Sequence, residues 1–330
     1  AFGRREEVVF MVNTRYVKAE NFISKTAIVW VLVFLCIGMA VFSPMFISPG
    51  NLLLVVKQST ITGILGIGMT IVIITGGIDL SVGSLVAISS VCSAMFGGLA
   101  VQNLPIIVAL LVGITAGAVF GVINGSVVSY LNFPPFIMTL ATSMISRGIA
   151  KILCNAKPVL GISDSFKNLA NGFFFGIPNL AVYFGAVFIL GAVILNKTVL
   201  GSRFFAIGGN EAGARLSGVN TKRVKLTAYV FCGILAGFAG VLMTSRISSG
   251  SSITGEGYEL NAIAAAVIGG TSMSGGVGTI WGTVVGALII GVIQNGLDIM
   301  NVSAFYQSII QGLIIIVAVL FDLNSKRKKN

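Results

Sequence analysis

Apolar runs of membrane-spanning length recur along nearly the whole chain, separated by short stretches rich in Gly, Pro, Asn and Ser. The runs fall at about 26–47, 53–76, 82–101, 105–131, 136–153, 179–196, 226–245, 259–271, 279–299 and 303–321. Turn signals close them: Ser43-Pro44, Ser48-Pro49-Gly50-Asn51, Asn103 with Pro105, and Asn132-Phe133-Pro134-Pro135. About 20 apolar residues are needed to cross a bilayer as a helix. Lipid leaves no water to pair backbone amides, so runs of this kind are helices. A barrel would instead show short alternating segments. The pattern predicts an all-α polytopic membrane protein of about ten transmembrane helices. The eighth run is the weakest, being short and carrying Glu256 and Glu259 at its entry.

Two features interrupt the apolar pattern. Gly76-Gly77-Ile78-Asp79-Leu80-Ser81-Val82-Gly83 breaks what would otherwise be one very long hydrophobic segment, and it places a carboxylate there. Asp79 is either the N-cap of the third span, accepting from the amide of Ser81 or Val82 with Ser81 in the first turn, or a gating contact. In the fourth run, Gly113, Gly117, Gly121 and Gly125 stand at i+4 spacing. That ladder makes one helix face smooth enough for a neighbouring backbone to approach closely, a packing surface before it is anything else.

Composition agrees with the pattern. Of 330 residues, 55% are hydrophobic and only 9% charged, and mean hydropathy is +0.99. A soluble domain carries about 25% charged residues. The net charge of +11 matters through its distribution. Five of the 21 Lys and Arg lie in residues 1–25 (Arg4, Arg5, Arg15, Lys18, Lys25), six in 197–225 and four in 326–329. The positive-inside rule places all three regions in the cytoplasm, and ten spans satisfy all three. The resulting organisation is a cytoplasmic segment 1–25, a transmembrane domain 26–321 and a basic cytoplasmic tail 322–330. An outer loop, 154–178, reads as a longer polar connection. Met11 is a candidate native start, with 1–10 upstream of it. The run after the charged lead-in has no small-residue cleavage site and reads as a retained first span.

Composition also excludes chemistry. The chain has no histidine and four scattered cysteines without a CxxC pair, so no metal site is expected. Nothing couples a basic face to aromatics, so no nucleic-acid partner is expected.

The polar signal of most functional interest is Gly208-Gly209-Asn210-Glu211-Ala212-Gly213-Ala214-Arg215-Leu216-Ser217-Gly218-Val219-Asn220. Asn210 can cap a short helix from Glu211 to about Ser217, with the acid in its first turn and Gly218 ending it. Such an element between two spans is either a docking helix or an ordinary surface loop. A weak internal echo also appears. Gly269-Gly270-Thr271-Ser272-Met273-Ser274-Gly275-Gly276 matches the stretch 76–83 at four of eight positions, and Gly117–Gly125 is echoed by Gly286–Gly296. Repeated halves meeting at a substrate path are common among transporters.

These residues carry a family resemblance. Glu211-Ala212 followed by Gly218, ahead of the last four spans, resembles the EAA-type loop of bacterial ABC import permeases. GGIDLSVGS at 76–84 is similar to the signature of permeases for ribose, galactose and xylose. So are the segments 206–212, 257–265 and 269–276. The similarity runs from about 45 to 321 and departs over the first thirty residues and the outer loop 154–178. It implies the permease subunit of an importer in the bacterial inner membrane, moving a monosaccharide. Its implied partners are a cytoplasmic ATPase, an extracytoplasmic sugar-binding protein and a second permease copy or homologue. The chain itself contains no GxxxxGK[ST] phosphate loop, so it is expected to bind no cofactor, with ATP-Mg on the partner ATPase. Gly209, Asn210, Glu211, Ala212, Arg215 and Gly218 would form the ATPase-coupling loop. Gly76, Gly77, Asp79, Ser81, Gly83, Gly269, Gly270 and Ser274 would shape helix breaks or gates.

A neutral sugar asks for hydrogen-bonding side chains along its route. Asn124, Tyr258, Glu259, Asn261, Gln294 and Asn295 are the candidates, and each can equally serve helix–helix hydrogen bonds. Alternatives remain: another small polar solute, such as a furanose signal molecule or a nucleoside, or an ion-coupled secondary transporter. The last would need ionisable groups near the midplane, where Asp79 is the clear candidate.

Overall fold

The computed structural model describes residues 27–98 and 104–327, with side chains described up to residue 320. The basic cluster of 1–25, Asn103 and the end of the tail at 328–330 lie outside the described residues. The protein is all-α and polytopic. Its helices are α1 (Ala27–Phe42), α2 (Pro49–Ile74), α3 (Val82–Gly97), α4 (Ile106–Tyr130) and α5 (Pro135–Leu153). They continue as α6 (Asp164–Asn171), α7 (Asn179–Lys197), α8 (Val199–Gly209), α9 (Glu211–Leu216) and α10 (Thr221–Ile247). The last are α11 (Tyr258–Ile268), α12 (Ile280–Ile299) and α13 (Ala304–Arg327). A single 3-10 turn, Pro44–Ile47, links α1 to α2.

Among the described residues, six helices, α2, α4, α5, α7, α10 and α12, are long and apolar enough to cross a membrane. The helices at the third and eighth expected runs are short. Helix α3 has 16 residues and α11 only 11, so they rise about 24 Å and about 16 Å, short of a hydrocarbon core of about 30 Å. The outer loop is also more structured than expected. Ser163 caps α6 by accepting from the Phe166 amide, and Phe173–Phe174 pairs antiparallel with Ile177–Pro178.

Glycine sets the packing distances. The ladder of α4 faces α10 antiparallel: a Cβ on Gly117 would meet Gly233 and Gly237, one on Gly121 would meet Tyr229 and Val230, and one on Gly125 would meet Leu226. Backbones touch along this seam, as the spacing in the sequence predicts. Helices α2 and α10 also run antiparallel, with Arg246 reaching the Lys57 carbonyl, Gly68 against Cys232 and Gly77 against Tyr229.

The two short helices complete a crossed pattern. Helix α3 follows α2 after the break at 75–81 and lies parallel to α10, with Val86 and Ser89 near Gly240 and Ser93 bonded to Thr244. Helix α11 follows α10 after 248–257 and lies parallel to α2, with Ala262 and Ala265 against Gly66. Each long helix is thus followed by a break and then by a short helix beside the other long one. In this arrangement the structural counterpart of 76–83 is the segment 248–257, not the sequence echo at 269–276. Helix α12 closes the group antiparallel to α2, through Thr70–Thr283 (2.6 Å) and a two-way amide exchange between Asn51 and Asn295 (2.8 and 2.9 Å).

Candidate functional site

Three capped helices follow one another after α7, each start set by a local side chain. Thr198 accepts from the Gly201 amide at the start of α8 (3.2 Å), Asn210 from the Gly213 amide at α9 (2.9 Å), and Asn220 from the Arg223 amide at α10 (3.1 Å). Glu211 lies in the first turn of α9 and Arg215 in the last, the placement that complements a helix dipole. Gly218, at φ +82°, turns the chain out of α9 while the Val219 amide donates back to the Ala214 carbonyl (3.1 Å). Lys225 of α10 reaches across to Glu211 (2.6 Å). Leu216 is left 91% exposed, so α9 presents an apolar residue beside its charges. The segment 197–225 is therefore mostly helical. Its first helix, α8, was not expected, although Leu200, Phe204 and Ile207 stand at helical spacing and the last two are buried.

The break between α2 and α3 is held from three sides. Asp79 is 0% exposed and accepts from both the amide (2.9 Å) and the hydroxyl (2.5 Å) of Ser81. The Ser81 hydroxyl accepts from the Asn124 amide of α4 (2.9 Å), and the Asn124 carbonyl accepts from Thr142 of α5 (2.6 Å). From α10, the Tyr229 hydroxyl donates to the Ile78 carbonyl (3.2 Å). Ser146 of α5 donates to Ser84, which donates to the Ser81 carbonyl, both at 2.7 Å. One carboxylate oxygen, Oδ2, has no partner among the described residues.

The bond from the Ser81 amide is the one expected of Asp79, whereas the helix boundary and its surroundings are corrected. Helix α3 starts at Val82 with Ser81 as its N-cap residue, not within its first turn. Asp79 lies two residues further back and fixes the turn before the helix. It is not at a solvated end, because α4, α5 and α10 close over it. Tyr229, Ser84 and Ser146 belong to this network and were not expected in it. The sequence signal for Ser146 was the polar stripe Thr139, Thr142 and Ser146 along α5, and Ser84 closes the stretch 76–84.

The second break runs beside α3. Gly250 lies against Ala94 and Ser90, and Gly255 against Gly83 and Val86, so the chain descends along α3 before α11 begins. The top of this path is tied to the outer loop by bridges Val159–Gly250 and Gly98–Ile162. Arg147 of α5 donates to the Ser252 carbonyl (2.7 Å). Where α11 starts, Glu259 and Gly255 close on Gly83, leaving no room there for a side chain. The N-terminal turns of the two short helices therefore meet at Gly83, with Tyr258 adjoining. At the other end of α11, Gly269 is its C-cap, packed on Gly282, and Gly270 leads into a loop where Ser272 and Ser274 hydroxyls lie 3.1 Å apart.

The candidate route residues are dispersed. Asn124 and Asn295 are spent on buried helix–helix hydrogen bonds. Asn261 and Gln294 border a cleft of about 10 Å³ with Gln311, room for about one water molecule and none for a sugar. A larger groove of about 480 Å³, lined by Ile88, Leu111, Val112, Val119, Phe120 and Ile149, is apolar and offers a sugar almost no hydrogen bonds.

Comparison with known proteins fits this architecture. A family model described as branched-chain amino acid transport system / permease component matches residues 51–319. The chain is 43% identical over 301 residues to the ribose import permease protein of Bacillus subtilis (strain 168), covering 91% of both chains. It is 39% identical over 312 residues to that of Escherichia coli (strain K12), covering 93% of this chain and 96% of the relative. It is 37% identical over 277 residues, 84% of both chains, to the D-allose transport system permease protein of Escherichia coli (strain K12). No solved structure matches the chain. A bundle of apolar helices with buried breaks, matched over most of its length, places this chain in the family of branched-chain amino acid transport system permease components, multi-pass proteins of the bacterial inner membrane.

Proposed function

We propose that this chain is the membrane-spanning subunit of an ATP-binding-cassette importer for a monosaccharide. The observation that carries this reading is its likeness, at 36–43% identity over most of the chain, to permeases named for ribose, D-allose and L-arabinose. In this reading the chain hydrolyses nothing and binds no cofactor. A cytoplasmic ATPase holding ATP-Mg docks on α9, against Glu211, Arg215 and the exposed Leu216. A sugar-binding protein delivers substrate at the opposite end, and a second permease copy or a homologue completes the pathway within the lipid. The dispersal of Asn124, Asn261 and Asn295 inside one chain supports a route formed between two subunits. Asp79 and Ser81 hold the first break and Gly83 seats Glu259, so both breaks act as gates.

Reconstitution into proteoliposomes with the ATPase and the binding protein tests the reading. Uptake of ribose, D-allose or L-arabinose that requires both partners and internal ATP is the expected result. Uptake that persists without ATP and collapses with an uncoupler points to an ion-coupled transporter and overturns it.

A further inference from the structure

Gly208, two residues before the cap of α9, sits where three chain segments meet backbone to backbone. A Cβ there would run into the Ile74 carbonyl at the end of α2 and the Gly276 amide in the loop after α11. Those two groups are themselves hydrogen-bonded, Gly276 donating to Ile74 at 2.9 Å. Gly275 completes the cradle: its Cβ would lie 3.1 Å from both the Gly208 carbonyl oxygen and the Gly76 amide nitrogen. A Cβ on Gly276 would lie 2.9 Å from the Gly209 amide nitrogen. Gly76, Gly275 and Gly276 all have positive φ, +80°, +85° and +72°, so side chains are disfavoured there on backbone grounds as well.

The contact has a mechanical consequence. A side-chain interface can absorb a small displacement by changing rotamer, whereas packed backbone transmits it. A shift of α9 pulls on Gly208 directly. Gly208 presses on the start of the first break at Ile74–Gly76 and on the loop that ends α11. Those segments lead to the short helices α3 and α11, whose first turns meet at Gly83, Gly255 and Glu259.

We propose that the cradle of Gly208, Gly275 and Gly276 carries displacement of α9 into both broken helices, α2–α3 and α10–α11. Gly208, Gly275 and Gly276 are positioning residues for coupling. The inference rests on the reading of α9 as the ATPase docking helix, and it adds a second route of transmission beside the covalent one into α7 and α10.

The test uses the complete complex of permease, ATPase and binding protein. In proteoliposomes, Gly208→Ala is expected to retain bound ATPase and its basal hydrolysis while sugar moved per ATP falls at least about tenfold. Gly185→Ala, on α7 with nothing within 4 Å of an added Cβ, should stay within about twofold of the unmodified protein. Transport by Gly208→Ala that matches Gly185→Ala overturns the proposal. Because Gly208→Ala can also disturb folding, hydrogen exchange on the unmodified complex decides independently. Adding a non-hydrolysable ATP analogue should change exchange at 210–217, 75–81 and 269–279 together. A change confined to 210–217 overturns the cradle and leaves docking intact. An unchanged 210–217 removes the docking reading, and the proposal with it.

Discussion

Gly117→Ala, set against Gly148→Ala, asks whether the seam between α4 and α10 depends on backbone contact. A methyl on Gly117 would lie 2.6 Å from the Gly237 nitrogen and 2.7 Å from its Cα, and closer still to the Gly233 carbonyl. All are helix backbone atoms without a rotamer to retreat into. Carbon contacts settle at about 3.5 Å, so α4 and α10 must part by about 0.9 Å at this rung. A gap of that size forfeits up to about half of each dispersion well. With about 30 atom pairs at about 0.15 kcal/mol each, the loss is about 2 kcal/mol, inside the usual range of about 1–3 kcal/mol for overpacking. Gly148, in the middle of α5, has nothing within 4 Å of an added Cβ. There the same methyl gains up to about 1 kcal/mol of helix propensity. Thermal unfolding in nanodiscs, followed by the fluorescence of Trp30 and Trp281, reads the difference. At about 2.1 cal/mol/K per residue, a chain of 330 residues loses about 3 °C of Tm for 2 kcal/mol. Gly117→Ala is expected to melt about 3 °C below the unmodified chain, and Gly148→Ala at or up to about 1 °C above it. Equal melting of the two variants refutes the backbone seam.

Three further outcomes follow from the same geometry. Asn51→Leu or Asn295→Leu alone strands a buried amide, at a cost of about 1–3 kcal/mol. The double variant should recover much of that loss, and additive melting shifts in a double-mutant cycle would count against the paired arrangement. Glu211→Gln removes a half-exposed pair with Lys225 and should change stability by no more than about 0.5 kcal/mol. Co-purification of the ATPase should nevertheless weaken, and unchanged co-purification would remove Glu211 from the docking surface. Lys167, 2.9 Å from Asp164 in the outer loop, holds that carboxyl below the ordinary carboxylate range. A lowered folded-state pKa means that its stabilisation is present above the ordinary pKa and is lost as pH falls through the lowered one. The difference in Tm between Asp164→Asn and the unmodified chain should therefore be small and constant from pH 5 to 8, and a difference that varies with pH inside that window would contradict the assignment.

Much of the architecture was legible because its causes are local. A run at 105–131 became Ile106–Tyr130, and one at 279–299 became Ile280–Ile299, since apolar length alone specifies helix in lipid. The helix Glu211–Leu216 was legible for the same reason: a cap, a first-turn acid and a terminal glycine all act within one or two turns. The glycine ladder of α4 announced a close approach without naming its partner. Helix α8 was missed because a basic, glycine-bearing segment reads as loop until Phe204 and Ile207 find the surface that buries them.

The sequence by itself determined that this is a membrane protein of about ten apolar segments, with a capped helix between two of them and a broken stretch around Asp79. Those properties depend on hydrophobic length and on side chains bonding to their own backbone neighbours. Only the tertiary structure decided that α3 and α11 are shorter than a full crossing, that Asp79 is sealed under α4, α5 and α10, and that Gly208 bears on both the first break and the loop after α11. Each of those depends on which distant segments lie within a few ångströms of one another. A glycine shows where a neighbour can come close, but the identity of the neighbour is set by the packing of the whole bundle.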